Sequence, residues 1–146
     1  MTTRVQRDDF DVGAELAQFG GGVGAVCGFV GLVRDLNEGR PVSAMTLEYY
    51  PGMTERELAR IEREALDRWP LLDIVVVHRY GRLEPGDRIV LVGVASTHRD
   101  AAFEACRFLT DSLKTRAPFW KAEETDAGRG WVAACAEDEM AVGRWA

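Results

Sequence analysis

Residues 71–97 of this chain read LLDIVVVHRYGRLEPGDRIVLVGVAST, and this stretch decides the fold. It holds two apolar runs of strand length, Leu71–Arg79 and Arg88–Thr97, both rich in β-branched residues. The segment between them, YGRLEPGD, is typical of a turn because it contains Gly, Pro and Asp. Since strands joined by so short a connection pair in antiparallel fashion, the sequence predicts an antiparallel strand pair here.

Two long amphipathic helices are predicted on either side of this strand pair. Apolar residues recur at helical spacing in Thr54–Trp69 and again from Asp100 to about Arg116. Thr54 and Glu57, three positions apart at the start of the first helix, predict a capping box. Pro118 disfavours a helical conformation in the residue before it, so the second helix should end there.

Further strands are predicted before and after the two helices. They are Ala25–Val33, Ser43–Tyr50, a strand in FWKAEE (119–124) and one in WVAACA (131–136), with short helices at Val12–Phe19 and at the chain end and a polar loop at Arg34–Pro41. Strands in adjacent pairs with helices between them are typical of α+β proteins. We therefore predict a single α+β domain over residues 1–146, with a largely antiparallel sheet and two long helices.

The composition argues against several classes of protein. The net charge of −6 and the pI near 5.0 disfavour a general binder of nucleic acids or anionic membranes. The N-terminal sequence lacks an apolar signal region, and no apolar run approaches the ~18 residues of a membrane span. We therefore expect a cytoplasmic protein in which any anionic ligand is held by a local cluster of cations.

The three cysteines, Cys27, Cys106 and Cys135, are widely spaced and odd in number. The sequence has no CxxC motif and no Cys/His ligand pair of the kind that binds zinc. Reduced thiols are the simplest interpretation in a cytoplasmic protein. The sequence accordingly predicts no metal site.

The glycine-rich segment GGGVGAVCGFVG (20–31) invites comparison with a dinucleotide-binding loop. That fingerprint requires a strand, then a glycine turn, then a helix. Here the glycines precede a predicted strand, so a connection between helix and strand is the favoured interpretation.

The stretch LKTRAPFWKAE (Leu113–Glu123) gathers three cations around a proline and two aromatic residues. Lys114 and Arg116 fall in the last turn of a helix, where cations interact with the helix dipole for ~0.3–1 kcal/mol. This explanation does not cover Lys121, which follows Pro118 on the next element. The alternative is a functional lysine pair, because the proline turns the chain and the aromatic residues would desolvate an ammonium group. The spacing alone leaves both open.

Two histidines and two arginines are further candidates. His78 ends an apolar strand and is better explained as a structural residue than as a ligand. His98 and Arg99 fall between a strand and a helix, where backbone amides and the helix dipole favour anions, although Asp100 could simply cap the helix there. Arg34 begins a loop, a common place for binding residues, but a solvated loop arginine has the same pattern.

Four motifs, in this order along the chain, resemble one protein family. They are LEYYPGMTERELARI (47–61), HRYGRLEPGD (78–87), VGVASTHRDAAFEAC (92–106) and LKTRAPFWKAE (113–123). Together they are similar to the catalytic (large) subunits of molybdopterin synthase, the MoaE family, from about Val26 to Trp145. The order and specificity of the motifs identify the chain as a member of that family.

The resemblance implies a sulfurtransferase. The family converts cyclic pyranopterin monophosphate, also called precursor Z, into molybdopterin by inserting the two dithiolene sulfurs. The sulfur comes from the C-terminal Gly-Gly thiocarboxylate of a small ubiquitin-like partner subunit, so this chain needs no cysteine motif, and we expect no cofactor. The resemblance also implies a homodimer of catalytic subunits at the centre of a heterotetramer.

The resemblance assigns the catalytic residues. Lys114 and Lys121 match the family's key lysines. Lys114 would polarise the thiocarboxylate carbonyl, and Lys121 would act as acid and base during sulfur addition and loss of the oxygen leaving group. Phe119 would form a wall of the pocket. The implied substrate-binding residues are Val33, Arg34, His98, Arg99, Lys114, Lys121 and Glu123.

A phosphate on the substrate explains why an acidic chain needs a local cluster of cations. Arg34, His98 and Arg99 would hold this phosphate, within one protomer or across two. Charge-assisted hydrogen bonds to phosphate are of the strong kind.

Four positions depart from the family pattern. Ala122 and Leu32 stand where a basic residue is frequent, Asp35 where Asn is frequent, and Cys135 where Arg can occur. Each change removes a cation or adds an anion near the expected phosphate site. Two alternative functions stay open, a non-catalytic module that binds a ubiquitin-like tail and an unrelated enzyme that binds nucleotide phosphates.

Overall fold

The computed structural model describes residues 2–126, 128–131, 140–141 and 143–145. In this part of the chain the strands are β1 (Thr2–Gln6), β2 (Ala25–Leu32), β3 (Leu36–Asn37), β4 (Arg40–Tyr49), β5 (Leu71–Arg79), β6 (Gly81–Leu83), β7 (Arg88–Ser96), β8 (Phe119–Thr125) and β9 (Gly128–Trp131), and the helices are α1 (Val12–Leu16), α2 (Met53–Arg68) and α3 (Arg99–Arg116). The predicted α+β class, with largely antiparallel pairing and two long helices, is confirmed.

β5 and β7 form the predicted antiparallel pair at the centre of a four-stranded sheet with the order β1-β5-β7-β2. Side chains on β5 alternate between the two faces of the sheet. Ile74 and Val76 join the core under α2 and α3, whereas Val75 and Val77 join the core under α1. All four are buried. The run of consecutive apolar residues in β5 therefore follows from helices on both faces.

A second sheet carries the strand that follows α3. β4 is its long central strand, with β8 and then β9 on one side and with β3 and β6 on the other. The buried residues Val33, Met45, Leu47 and Leu83 form its small core. The strand predicted in FWKAEE is confirmed as β8.

Several elements differ from the sequence prediction. The sequence does not predict β1, which pairs parallel with β5, whereas the other strand pairs described in this sheet are antiparallel. α1 is shorter than predicted and ends at Leu16. The predicted loop Arg34–Pro41 contains β3, and the turn after β5 contains β6. β3 and β6 are too short to show a periodic sequence pattern. They form because they pair with β4, and the local sequence alone does not indicate them.

The capping box predicted for Thr54 and Glu57 is wrong. The N-cap of α2 is Gly52, with φ of 86°, and its amide donates to Oε2 of Glu55 at 3.0 Å. Glycine adopts this left-handed backbone conformation without the strain that a side chain would cause. The helix therefore begins earlier than predicted, and the Thr54 hydroxyl is used elsewhere.

Two predictions lie mostly outside the described residues. Of the strand predicted in WVAACA, Trp131 is described, as the last residue of β9. The short helix expected at the chain end also falls largely outside these ranges, and so does Cys135.

Glu62 is a buried carboxyl group where α2 packs against β1. Its side chain is 1% exposed, its Oε1 accepts a hydrogen bond from Thr3 Oγ1, and its Oε2 has no hydrogen-bond partner among the described residues. Burial raises the pKa of Glu62 from 4.5 to about 7, against the lowering effect of the Thr3 hydrogen bond, and the charge of Asp73 adds to the rise.

Glu62→Gln should therefore stabilise the protein at pH 8 much more than at pH 5. Below pH 4.5 the carboxyl group is protonated in both the folded and the unfolded state. As the pH rises from 4.5 to 7 the unfolded chain ionises first, so wild-type stability falls, by about 3 kcal/mol once the pH exceeds 7. Urea unfolding of both proteins at the two pH values measures this difference. Glu104→Gln, at an exposed position of α3, is the control, and an equal effect of Glu62→Gln at both pH values would contradict the prediction.

Candidate active site

The turn from α3 into β8 is held by Thr54 of α2. Ala117 is extended (φ −73°, ψ 128°), and β8 begins at Phe119. The fully buried Thr54 hydroxyl donates to the carbonyl of Pro118 at 3.1 Å and accepts from the amide of Tyr50 at 3.1 Å. The predicted end of the second helix at this proline is confirmed, and a buried side chain of α2 fixes the turn.

Lys114 and Lys121 lie on the two arms of this turn. Of the 18 Lys and Arg residues in the sequence, these are the only 2 lysines, and the other 16 are arginines. Lys114 is exposed in the last turn of α3, and Lys121 is half-buried on β8 opposite Leu47. A lysine ammonium can lose its proton, whereas an arginine guanidinium stays charged. The location of both lysines at one turn therefore favours a chemical use over general surface charge.

Phe119 stacks on His78 between the two arms. The ring centroids are 3.8 Å apart and the planes meet at 16°, and the ring of Tyr49 lies 6.4 Å from that of Phe119. His78 is 8% exposed, and its Nδ1 donates to the carbonyl of Arg79 at 2.9 Å. Burial lowers the pKa of His78 to about 4; the hydrogen bond to Arg79 opposes this shift, and the charge of Lys114 adds to it. His78 is therefore a neutral, buried residue within electrostatic reach of Lys114.

Phe119, Lys121 and Glu123 point to the same face of β8, because strand side chains alternate. The carboxylate of Glu123 accepts a hydrogen bond from Nδ2 of Asn37, and Oδ1 of Asn37 accepts one from Arg34 at 3.5 Å. These bonds bring Arg34 and Glu123 together, although the sequence suggested them separately.

Val33 lies in the core of the second sheet rather than at its surface. Its side chain is 5% exposed, its amide donates to the carbonyl of Asp87 at 3.0 Å, and its carbonyl accepts from the amide of Gly86 at 2.9 Å. Val33 thus fixes the backbone from which Arg34 extends, and a substrate contact through its side chain stays a prediction.

Three of the departures from the family pattern lie in described parts of the chain. Ala122 is 1% exposed and points to the face of β8 opposite Lys121, so a cation at that position would point away from the lysine. Leu32 is 52% exposed, and Asp35 is also exposed, on either side of Val33 and Arg34. These two changes lie close enough to Arg34 to alter its electrostatic surroundings.

Arg116 has a structural role. Its guanidinium lies 2.7 Å from Oε2 of Glu64 and 3.0 Å from Oε1 of Glu57, both on α2. Its hydrogen bond holds the pKa of Glu64 below the usual range. Arg116 therefore joins the end of α3 to α2.

His98 and Arg99 lie at the opposite end of α3. His98 is the N-cap and Arg99 the first helical residue, and both are exposed, which confirms their predicted position at a helix N-terminus. Lys114 follows Arg99 by 15 positions, or about 22 Å along the helix axis. A single chain therefore does not bring the His-Arg pair to the lysines.

Two cavities lie away from the lysine turn. One of about 520 Å³ is lined by residues 9–13 and Arg88, and the other, of about 410 Å³, by residues of β2 and α3 that include Cys27 and Cys106. Within the described ranges, His, Cys, Asp and Glu side chains form no group of three or more that could hold a metal ion. None of the helices described has the length and apolar character needed to cross a membrane.

Sequence reasoning missed two residues that organise this region. Thr54 fits the sequence pattern of a helix cap, whereas its hydroxyl donates to a carbonyl 64 positions away. Asn37 belongs to a polar loop, and no local pattern indicates that its amide reaches Glu123, 86 positions away.

Comparison with known proteins points to one family. The profile of the family described as MoaE protein matches residues 5–116. The molybdopterin synthase catalytic subunit of Pseudomonas aeruginosa is 56% identical over 148 residues, which cover 99% of each chain.

Solved structures give the same result. The molybdopterin biosynthesis MoaE protein from Burkholderia ambifaria superposes with a TM-score of 0.85 at 50% identity, over 99% of this chain and 97% of the other. The molybdopterin synthase from Staphylococcus aureus has a TM-score of 0.83 at 30% identity, over 88% of this chain and 95% of the other.

Proposed function

We propose that this chain, which belongs to the MoaE family, is the catalytic subunit of a molybdopterin synthase, a sulfurtransferase of molybdenum cofactor biosynthesis. It converts cyclic pyranopterin monophosphate into molybdopterin by inserting two dithiolene sulfurs. The main support for the site assignment is that the only two lysines lie on the two arms of one turn. In addition, Arg34 is hydrogen-bonded through Asn37 to Glu123, which is on the same face of β8 as Lys121.

The two lysines have different roles in this proposal. The exposed Lys114 meets the thiocarboxylate that delivers sulfur and stabilises the negative charge that develops on its carbonyl oxygen. Lys121, half-buried beside the Phe119 ring, exchanges a proton with the pterin as sulfur adds and oxygen leaves. Phe119 is the wall that limits water at this point.

The sulfur donor is a small ubiquitin-like subunit whose C-terminal Gly-Gly carries the thiocarboxylate. Its tail approaches the exposed Lys114 side of the turn. After each transfer, water cleaves the bond between the donor's carbonyl carbon and the transferred sulfur, so the sulfur stays on the pterin and the donor leaves as a carboxylate. We place the reaction in the cytoplasm, which agrees with the unpaired thiols of Cys27 and Cys106. All of residues 1–146 belong to one catalytic-subunit domain in this proposal.

The phosphate site is shared between two copies of the chain. Arg34 lies on the face of Lys121, but Arg99 is about 22 Å from Lys114 along α3. We propose that a second catalytic subunit supplies His98 and Arg99, so that each site of a central homodimer contains the lysines of one protomer and the His-Arg pair of its partner. A small subunit at each end of this homodimer completes a heterotetramer.

A single-turnover assay tests the function. The purified chain is mixed with cyclic pyranopterin monophosphate and the thiocarboxylated small subunit, and molybdopterin is detected as its fluorescent oxidised derivative. Product formation supports the proposal. Folded protein that binds the small subunit and yields no product would instead favour the tail-binding module.

Subunit mixing tests the shared site. Arg99→Ala and Lys114→Ala should each inactivate the protein, and an equimolar exchange of the two should recover about a quarter of wild-type activity, because half of the dimers are mixed and each has one intact site. Mixing Lys114→Ala with Lys121→Ala is the control. Both lysines belong to one protomer's site, so no mixed dimer is repaired. Equal recovery in the two mixtures, or none in the first, would contradict the shared site.

A further inference from the structure

The position of Lys121 relative to Lys114 depends on where β8 begins. The turn is tied to α2 through Thr54, but that contact ends at the Pro118 carbonyl. The first residue of β8 is Phe119, and the closest aromatic contact of its ring is with His78, at 3.8 Å between centroids. Lys121 follows two positions later on the same face of the strand.

Burial and a hydrogen bond fix the position of the His78 ring that stacks on Phe119. It lies on β5, on the same face of the strand as Ile74 and Val76, which pack into the core under α3. Its ring is buried, and the hydrogen bond from Nδ1 to the carbonyl of Arg79 fixes the ring orientation. A carbonyl can only accept, so Nδ1 carries the proton of the neutral imidazole and Nε2 carries the lone pair. The stack therefore joins the first sheet to the strand that bears Lys121.

We propose that His78 is a positioning residue for sulfur transfer: its ring fixes Phe119 and thereby sets where β8 presents Lys121 relative to Lys114. The expected effect on the reaction rate rests on the proposed function, whereas the effect of His78 on the position of Lys121 concerns this chain alone. A displacement of about 1 Å at a reacting group can reduce a rate about 10²-fold.

Two substitutions separate the ring from its hydrogen bond. His78→Phe keeps an aromatic ring against Phe119 and removes the donor to Arg79. His78→Asn keeps an N–H donor at the same distance from the backbone and removes the ring. If the stack positions β8, His78→Phe keeps the single-turnover rate within about 3-fold of wild type, and His78→Asn lowers it about 10²-fold at saturating substrate.

The affinity for the small subunit and the KM for the pterin are measured in parallel. We expect both to change less than about 3-fold in the Asn variant, because His78 is a neutral, buried residue and its replacement by Asn leaves the charges of Lys114 and Arg34 unchanged. A wild-type rate for His78→Asn, or an equal loss in both variants, would overturn the inference.

A second measurement does not depend on activity. Protein labelled with ¹³C-lysine gives side-chain NMR signals from only two residues, Lys114 and Lys121. We expect the Lys121 Cε signal to move in His78→Asn and to stay in place in His78→Phe. If His78→Asn does not fold, Phe119→Leu breaks the same stack from the other side and should move the same signal.

The two measurements distinguish the possible failures. A Lys121 signal that does not move when the stack is broken overturns the positioning role, whatever the assay gives. Wild-type protein that forms no molybdopterin overturns the proposed function, and the NMR comparison then still decides whether His78 positions Lys121.

Discussion

Lys114→Ala is expected to lower the single-turnover rate of molybdopterin formation by about 10²–10³-fold, the usual loss when one group that stabilises an oxyanion is removed. Lys114 is exposed in the last turn of α3, so the substitution leaves the core unchanged and the protein should unfold at nearly the wild-type urea concentration. Quenched-flow sampling of the fluorescent oxidised product gives the rate per folded protein.

Arg116→Ala is the matched control for Lys114→Ala. It removes a cation from the same turn of α3, but this cation binds Glu57 and Glu64 of α2. The control should therefore lose about 1–3 kcal/mol of stability and keep its rate per folded molecule. A rate loss in Arg116→Ala as large as that in Lys114→Ala would mean that the end of α3 needs only positive charge, and the role of Lys114 would be wrong.

The parts of the fold that follow from local periodicity could be predicted from the sequence. The strand pair β5–β7 and the long helices α2 and α3 contain enough residues for their apolar spacing to be unambiguous. Pro118 gave the end of α3 because its ring restricts the preceding residue. The start of α2 could not be predicted in the same way, since Thr54 fits a helix cap as well as the buried tie to Pro118 that it makes.

The candidate site could be predicted as a set of residues but not as an arrangement. The motif around the two lysines and the positions of Arg34 and Glu123 were available from the sequence, whereas the link through Asn37 depends on the pairing of β3, β4 and β8. The distance between Arg99 and Lys114 follows from helix length alone. That distance is the reason why we propose that two chains together form the phosphate site.

Lys121→Ala should lower the single-turnover rate by about 10²–10⁴-fold, the range for loss of a general acid–base group. Lys121 is half-buried, on the face of β8 that also carries Phe119. The rate is measured with saturating thiocarboxylated small subunit, so that weakened donor binding does not contribute. Full turnover under this condition would show that the acid–base assignment is wrong.

Replacement of each lysine by arginine separates the two roles. Arginine keeps the positive charge but cannot give up its proton near neutral pH. A residue that only stabilises charge should tolerate this change in part, so Lys114→Arg is expected to recover at least about 10-fold over Lys114→Ala. A residue that transfers a proton should not tolerate the change to arginine, so Lys121→Arg is expected to be as slow as Lys121→Ala. The reverse pattern would exchange the two roles. In a chain that uses arginine for its other 16 basic side chains, equal activity of both arginine variants would remove the chemical reason for having lysine at either position.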